Sequence, residues 1–436
     1  EERFFEPLRK AVDNLKIRLS YGSLGNQQIG YYDFIQTITT KGSMSDYSFD
    51  GTVLGQHATV SDPVSGDQTW EKVVSKNLGL DLNMFNNRLS LTTDFYIRDT
   101  KGILGKGKSL PSIYGASEPQ MNANNLRTKG YELVLGWRDS FKLAGSTFSY
   151  GITGTFSDYT AEYTKCDNPT GLIGDPYVGK KYGEIWGYKV DGLFRNDKEA
   201  AEYASRIDLS TVASGYYTAT GAYGKGVRGG DIKYLDLNGD NIVNGGKGTL
   251  DDPGDRRVIG NSSPRYQYGA SLNFSWYGFD VSVFMQGIGR LDWYPGADNL
   301  RFWGPYCRPY ATFVPKNFMS QVWSEENPDA YFPRARAYTS LNSNSGTAYY
   351  TNDRYLQNLA YCRLKNLTIG YTIPRRLTSK VGIKECRIYF SGENLATWSA
   401  LKSDFLDPEQ AAADSDKKAN VYPWCKTYSI GLNLTF

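Results

Sequence analysis

The stretch DLNGDNIVN sets Asp236, Asn238 and Asp240 two residues apart and follows them with Asn244 at the ninth position. Oxygen ligands at alternate positions of a loop are what a hard divalent cation, calcium first, requires. Two departures stand against that chemistry. Position six is Asn241, where a calcium loop turns on Gly, and position twelve is Lys247, which cannot supply a bidentate carboxylate. Asp251, Asp252 or Asp255 could complete a calcium site; otherwise the stretch is an Asx-rich turn. Just beyond it, GGKGT resembles a phosphate loop, but the first Gly of G-x-x-x-x-G-K is replaced by Asn241 and no strand feeding a helix surrounds it, so a nucleotide site is set aside.

A second constellation lies in GRLDWYPGADNLRFWGPYCRPYATF. Trp293, Tyr294, Phe302, Trp303, Tyr306 and Tyr310 are interleaved there with Arg290, Asp292, Asp298 and Arg301. Flat rings beside carboxylates and guanidinium groups suit sugar recognition, by stacking on C–H faces and directed hydrogen bonds to hydroxyls. Ligand contact by Trp293, Tyr294, Trp303, Tyr306, Tyr310 and Arg301 is therefore one expectation; contact with a partner protein and packing within the loop are the others. Catalysis has little to work with. His57 is the only histidine, in the polar stretch GQHATVSDP, and the five cysteines (Cys166, Cys307, Cys362, Cys386, Cys425) are scattered without a C-x-x-C pair. The expectation is a protein that is not an enzyme.

The elements that must carry these residues are strands. Forty-six Gly, 34 Tyr and a mean hydropathy of −0.50 fit strands, turns and polar loops. A net charge of +3 among 49 basic and 46 acidic residues gives no footprint for nucleic acid. No stretch of about 18 apolar residues exists to form a membrane helix, yet a barrel strand crosses a bilayer with about ten residues of alternating character. That alternation recurs about ten times. Leu15, Ile17, Leu19 and Tyr21 share one phase; Leu78 to Met84, Leu89 to Ile97, Tyr131 to Trp137, Phe148 to Phe156, Tyr266 to Trp276, Phe279 to Met285, Leu367 to Ile373, Cys386 to Asn394 and Tyr428 to Phe436 repeat it. Arg18, Asp81, Asp94, Glu132 and Asp280 fall on the opposite, polar phase.

The joins alternate in length. Short ones occur at Asn86-Asn87, Phe141 to Ser146, Tyr277-Gly278 and Pro374 to Lys384, and long ones over 24–69, 101–125, 161–263, 290–354 and 399–423. An outer-membrane barrel sorts its loops by end in this way, with short periplasmic turns and long extracellular loops. The apolar face then meets lipid and the charged face a wet lumen, because Arg or Lys facing hydrocarbon at midplane costs about 2–4 kcal/mol. Trp70, Tyr96, Trp137, Tyr266, Trp276, Tyr371, Trp398 and Trp424 lie near strand ends, where an interfacial aromatic girdle or ordinary strand propensity would put them.

LKIRLSYGSLGNQQIG, WEKVVSKNLGLDLNMFNNRLSLTTDFYIRDTKGIL, NANNLRTKGYELVLGW, YGEIWGYKVDGLF, GDIKYLDLNGDNIVN and YLQNLAYCRLKNLTIGYTIP with RIYFSGENLATW resemble, in that order, the C-terminal half of SusC/RagA-type TonB-dependent outer-membrane transporters. The resemblance covers nearly the whole chain. It implies an all-β fold, the C-terminal part of a 22-stranded transmembrane barrel, with the plug domain and TonB-box outside residues 1–436. Phe436 resembles the terminal aromatic signal of barrel assembly, and the missing wall must be supplied, since unpaired edges are not tolerated in a bilayer. In the family the block around Trp186 recurs and reads as structural.

The function implied by the resemblance is import across the outer membrane of a Gram-negative bacterium. The cargo expected is an oligomeric nutrient, glycan oligosaccharides ahead of peptides on the strength of the loop aromatics. The implied partners are a SusD-like surface lipoprotein, the TonB–ExbB–ExbD complex and outer-membrane lipid, and the implied assembly is a dimer of transporter–lipoprotein pairs. A passive porin or adhesive barrel is the alternative.

Overall fold

The computed structural model describes the chain apart from residues 1–5, 8–9, 27–34, 42–47, 50–51, 54–56, 67, 107–110, 219–225, 308–313, 337–340, 342–345, 404, 414–421 and 423. Ten strands form one antiparallel sheet: β1 (Val12–Asn26), β2 (Glu71–Met84), β3 (Leu89–Lys106), β4 (Gln120–Leu143), β5 (Ser146–Lys165), β6 (Arg265–Trp276), β7 (Phe279–Arg290), β8 (Tyr361–Thr372), β9 (Glu385–Ser399) and β10 (Thr427–Thr435). Every strand pairs with its neighbours in sequence, and β1 and β10 stand at the two edges. This is the up-and-down topology of a barrel wall. Each of the ten stretches of alternation found in the sequence falls in one of these strands, with Ile373 and Phe436 one residue past the ends of β8 and β10.

Three of the four joins at one end are tight, and the fourth, 373–384, carries the short helical turn Arg375–Thr378. Ala144-Gly145 (φ 50° and 84°) and Tyr277-Gly278 (φ 49° and 83°) take the left-handed region at both positions, the two-residue turn whose twist matches a hairpin. At the other end the joins cover 27–70, 107–119, 166–264, 291–360 and 400–426. β3 runs to Lys106 and β4 begins at Gln120, so the strands continue past the alternating stretches. A bilayer crossing uses about ten residues of a tilted strand. The 24 residues of β4 and 20 of β5 therefore rise beyond it, and where neither face meets lipid the alternation that marks a strand in the sequence disappears.

The two faces of the sheet differ as the pleat requires. Leu19, Leu78, Phe95 and Tyr131 are successive cross-strand partners from β1 to β4 and are all exposed, as are Ile17, Leu135, Ile152, Ile388, Ile430 and Leu432 on the same face. Near the tight turns this face carries a band of rings: Phe85 against Trp137, Phe141 against Phe148, Phe148 against Phe274 and Phe279 against Tyr371, with centroids 4.6–6.3 Å apart. Trp137, Trp276 and Tyr371 thus sit where an interfacial girdle would lie. Tyr96 does not. It shares the phase of Asp94 and lies across Gly130 of β4 on the charged face.

The apolar core lies outside the sheet. Segments 166–264, 291–360 and 400–426 close on one another as a cap, packing Phe194, Leu209, Tyr216, Ile232, Tyr234, Trp303, Phe332, Tyr355 and Leu359 together with Leu406 and Ala411. Short two-stranded ribbons frame it: 184–188 with 256–261, 190–193 with 232–234, and 292–293 with 357–358. Asn196 caps the helix Asp197–Ala204 by accepting from the Glu199 amide. The cap packs over the charged face, because Gln286, Arg363 and Lys365 of that face bond to Asp407 and Glu409 of its 400–426 segment.

Candidate functional site

The charged face is a set of ion pairs that cross strands. Arg18 of β1 reaches Asp81 of β2 (2.9 Å) and, over Gly79, both oxygens of Asp94 on β3 (2.9 Å each). Asn77 donates to Asp94 at 2.7 Å. A Cβ on Gly79 would stand 2.6 Å from the Arg18 guanidinium carbon and 2.6 Å from Asp94 Oδ1, so only Gly leaves room for the crossing. The same device recurs between β7 and β9: Arg387 reaches Asp280 at 2.9 Å across Gly370, whose added Cβ would meet both at 2.5 Å. Arg18, Asp81, Asp94 and Asp280 thus lie where the alternation puts them, away from the apolar face.

Toward the long-loop end, Gln286, Arg363 and Lys365 hold the 400–426 segment. Arg363, almost fully buried, donates to Glu409 (2.6 Å), Asp407 (2.7 Å) and Thr397 (2.9 Å). Lys365 adds bonds of 2.8 and 2.9 Å to Glu409, and Gln286 a third donor at 3.1 Å. Trp424 lies 4.9 Å from the Lys365 ammonium, so it belongs to this strap. Asp407 and Glu409 of this segment meet β8, and Leu406 and Ala411 anchor the strap in the cap core on its other side.

The aromatic loop residues are brought together, but as packing. Trp303 is fully buried, and Trp293, Tyr294 and Tyr306 are buried with it. Trp303 packs edge-on against Phe302 (4.8 Å) and Tyr355 (5.0 Å), and donates its indole N–H to Gly296. Tyr294 donates to the carbonyls of Ala348 and Tyr350, and Tyr306 to that of Pro333. Trp293, Trp303 and Tyr306 offer no open face for stacking on a sugar, and Tyr294 keeps only a small exposed portion; contiguous apolar surface from three loops takes them inward. Arg301 stays exposed beside the strap, with its guanidinium 3.5 Å from the Phe405 carbonyl. Tyr310 lies outside the described residues.

In the acidic loop the oxygens of Asp236, Asn238, Asp240 and Asn244 are engaged by its own backbone. Asp236 accepts from Gly239 and Asn241, Asn238 from Asp240, Asp240 from Ile242, and Asn244 from Gly246, at 2.6–3.1 Å. Asn241 takes the left-handed conformation that the missing Gly would have supplied. Buried Asp255 ties the loop from below, accepting from Leu237 and Asn244. This is an Asx-turn network, and among the described residues no cluster of three or more acidic, His or Cys groups is placed to hold a metal.

Between segments 166–264 and 291–360 a cleft of about 530 Å³ opens, lined by Trp186, Tyr188, Lys247, Arg256, Tyr294 and Tyr349. Arg256 donates to the Gly245 carbonyl at 2.7 Å, which presents the GGKG turn to the cavity. Burial pushes the Tyr188 hydroxyl up to about 12, so it stays a hydrogen-bond donor. Elsewhere in the cap, buried Arg336 and Asp231 pair at 2.6 Å and join the two segments. Burial pushes the Asp231 carboxyl up to about 6 in spite of that guanidinium. The sequence reading treats Trp186 as structural and passes over Arg256 and Tyr349. Residues as far apart as Tyr188 and Thr351 meet here, the Tyr188 amide donating to the Thr351 carbonyl, and no local spacing signals it.

No family model matches the chain. It is 26% identical to the TonB-dependent receptor P3 of Formosa agariphila over 448 residues, covering 98% of this chain and 40% of that protein. It is 22% identical to the TonB-dependent receptor SusC of Bacteroides thetaiotaomicron, covering 100% and 39%. The solved structure of the RagAB peptide transporter superposes with a TM-score of 0.67 at 21% identity, over 98% of this chain and 41% of that one, and so shares the fold. The homologues of this chain are thus TonB-dependent receptors, SusC among them, and it spans about two fifths of their length.

Proposed function

We propose that these residues form the C-terminal wall and extracellular cap of a TonB-dependent importer in the outer membrane, working with a SusD-like surface lipoprotein on oligomeric nutrients. One observation carries the reading: a single sheet is apolar and exposed on one face, ion-paired on the other, and covered on the ion-paired side by a loop cap with its own core. That arrangement suits a wall between lipid and an aqueous lumen whose outer mouth is closed. β1 and β10 carry unpaired edges that a bilayer would not tolerate, and the remaining three fifths of a SusC-like protein would supply the strands that cover them and the plug for energy coupling.

The loop aromatics that pointed to glycan cargo are packed in the cap core, so the cleft beside Trp186, Arg256 and Tyr349 is the proposed cargo contact, and it suits an oligomer with hydroxyl, carbonyl or carboxylate groups. Relatives divide by name between SusC and a peptide transporter. Growth of a deletion strain on a panel of polysaccharides and peptides identifies the class. Complementation by a Trp186→Ala, Arg256→Gln gene should fail on that nutrient alone; full growth would exclude the cleft. Ion conductance by the purified full-length barrel without an energised partner would favour the passive porin instead.

A further inference from the structure

On the outward face, two transverse rows of β1 to β5 lie one above the other. The lower is Leu19, Leu78, Phe95, Tyr131 and Asp158; the upper, nearer the long loops, is Tyr21, Lys76, Ile97, Lys129 and Thr160. A cavity of about 730 Å³ lies between the rows, lined by Leu19, Leu78, Phe95 and Tyr131 below, by Lys76 and Lys129 above, and at its β5 side by Asp158 with Arg265. The two lysines are exposed and two strands apart, about 10 Å by strand spacing. The acids on this face are already matched: Asp158 is held by Arg265 at 2.6 Å through both oxygens, and Asp99 by Arg127 at 2.7 Å. Glu162 stands opposite Arg127 in the row above.

We infer that this cavity binds a lipid with an anionic phosphate headgroup, the phosphate between Lys76 and Lys129 and an acyl chain along Leu19, Leu78, Phe95 and Tyr131. The inference rests on the outward face being the lipid-facing one. An apolar slot capped by two cations is complementary to such a molecule along its length. Lysines scattered at an interface would attract anionic lipid only diffusely and in proportion to charge, whereas this pair stands at the mouth of an apolar groove of molecular size.

The test uses the full-length transporter purified in mild detergent, with phosphatidylglycerol, phosphatidylcholine and inorganic phosphate as probes and native mass spectrometry as readout. Phosphatidylglycerol should be retained in preference to phosphatidylcholine. Lys76→Gln with Lys129→Gln should lower that retention at least about tenfold, while Lys142→Gln with Lys384→Gln, the same charge loss near the tight turns, should leave it unchanged. Heat-shifted migration on gels checks that each barrel is folded. Equal retention in the two double variants, or equal retention of the two lipids, would overturn the site; displacement of the lipid by millimolar phosphate would mean that it takes a free anion. A polypeptide that stays monodisperse without detergent would instead refute the membrane reading itself.

Discussion

Replacing Arg363 by Met should free the strap over the lumen while leaving the wall intact. The guanidinium is 2% exposed and ties β8 to Glu409 and Asp407, which are 21% and 11% exposed. Removing one partner of a buried pair costs about 3–5 kcal/mol, because the other charge is left desolvated. Here the loss is smaller. Glu409 keeps Lys365 and Gln286, and Asp407 is close enough to water to rehydrate, so about 2–3 kcal/mol is expected. Met fills much of the vacated volume and leaves the packing against Tyr361 largely in place. That energy raises the population of the released strap about 30- to 150-fold. Hydrogen exchange followed by mass spectrometry on the full-length protein reads it directly: amides in 405–413 should exchange faster by about that factor, while β8 and β9 amides hold. Lys365→Gln, which leaves both Arg363 bonds, should produce a much smaller change. If exchange in 405–413 were the same in wild type and Arg363→Met, the strap would be held by Leu406 and Ala411 alone and the ionic latch would be irrelevant.

Three further outcomes follow from the geometry. Trp303→Ala should cost the cap about 3–5 kcal/mol, seen as rapid proteolysis of 291–360 with the barrel still heat-resistant on gels; an intact cap would remove Trp303 from the core. Gly370→Ala should destabilise the wall by about 1–3 kcal/mol through overpacking against Arg387 and Asp280, read as a lower unfolding temperature; no change would mean that the pair moves aside freely. The Asp231 carboxyl is raised to about 6 in the folded cap, so the folded state binds the proton more tightly. Its contribution to stability is full below the ordinary carboxylate range and is lost as pH rises through about 6. Cap melting in wild type should therefore rise, relative to Asp231→Asn, as pH falls from 7 to 4; parallel pH profiles would show that the carboxyl does not titrate there.

The wall was legible in the sequence and the cap was not, for one physical reason. A wall strand between lipid and a wet lumen must alternate at every residue, and a strict period of two survives in the letters, as Tyr131 to Trp137 shows. The cap is built from irregular segments whose contacts run between residues such as Tyr216 and Thr347, or Asp231 and Arg336, more than a hundred positions apart. No period encodes that. The rings of DWYPGADNLRFW were visible, but whether an aromatic ring meets cargo or core depends on what covers it, and the cover comes from Phe332 and Tyr355, about thirty to sixty positions on, and from Leu406 in another segment. The acidic loop was legible as an Asx-rich turn: Asn241 takes the left-handed conformation without Gly, and the side-chain oxygens accept from the loop's own amides.

The ion pairs of the inner wall are better understood as setting register than as adding stability. Exposed pairs contribute about 0–1 kcal/mol each, too little to matter against the bonding of a ten-stranded sheet. A slip of one residue is another matter. It would turn Arg18 toward the hydrocarbon, at a cost of about 2–4 kcal/mol near midplane, and bring Leu15, Ile17 and Leu19 into water at the same time. The crossings over Gly79 and Gly370 sharpen this further, since each ties three successive strands and has room in one register only. A wall assembled from antiparallel hairpins, each able to slide on its neighbour, thus carries at two places a charged check on alignment that the apolar rows of its outward face could not provide.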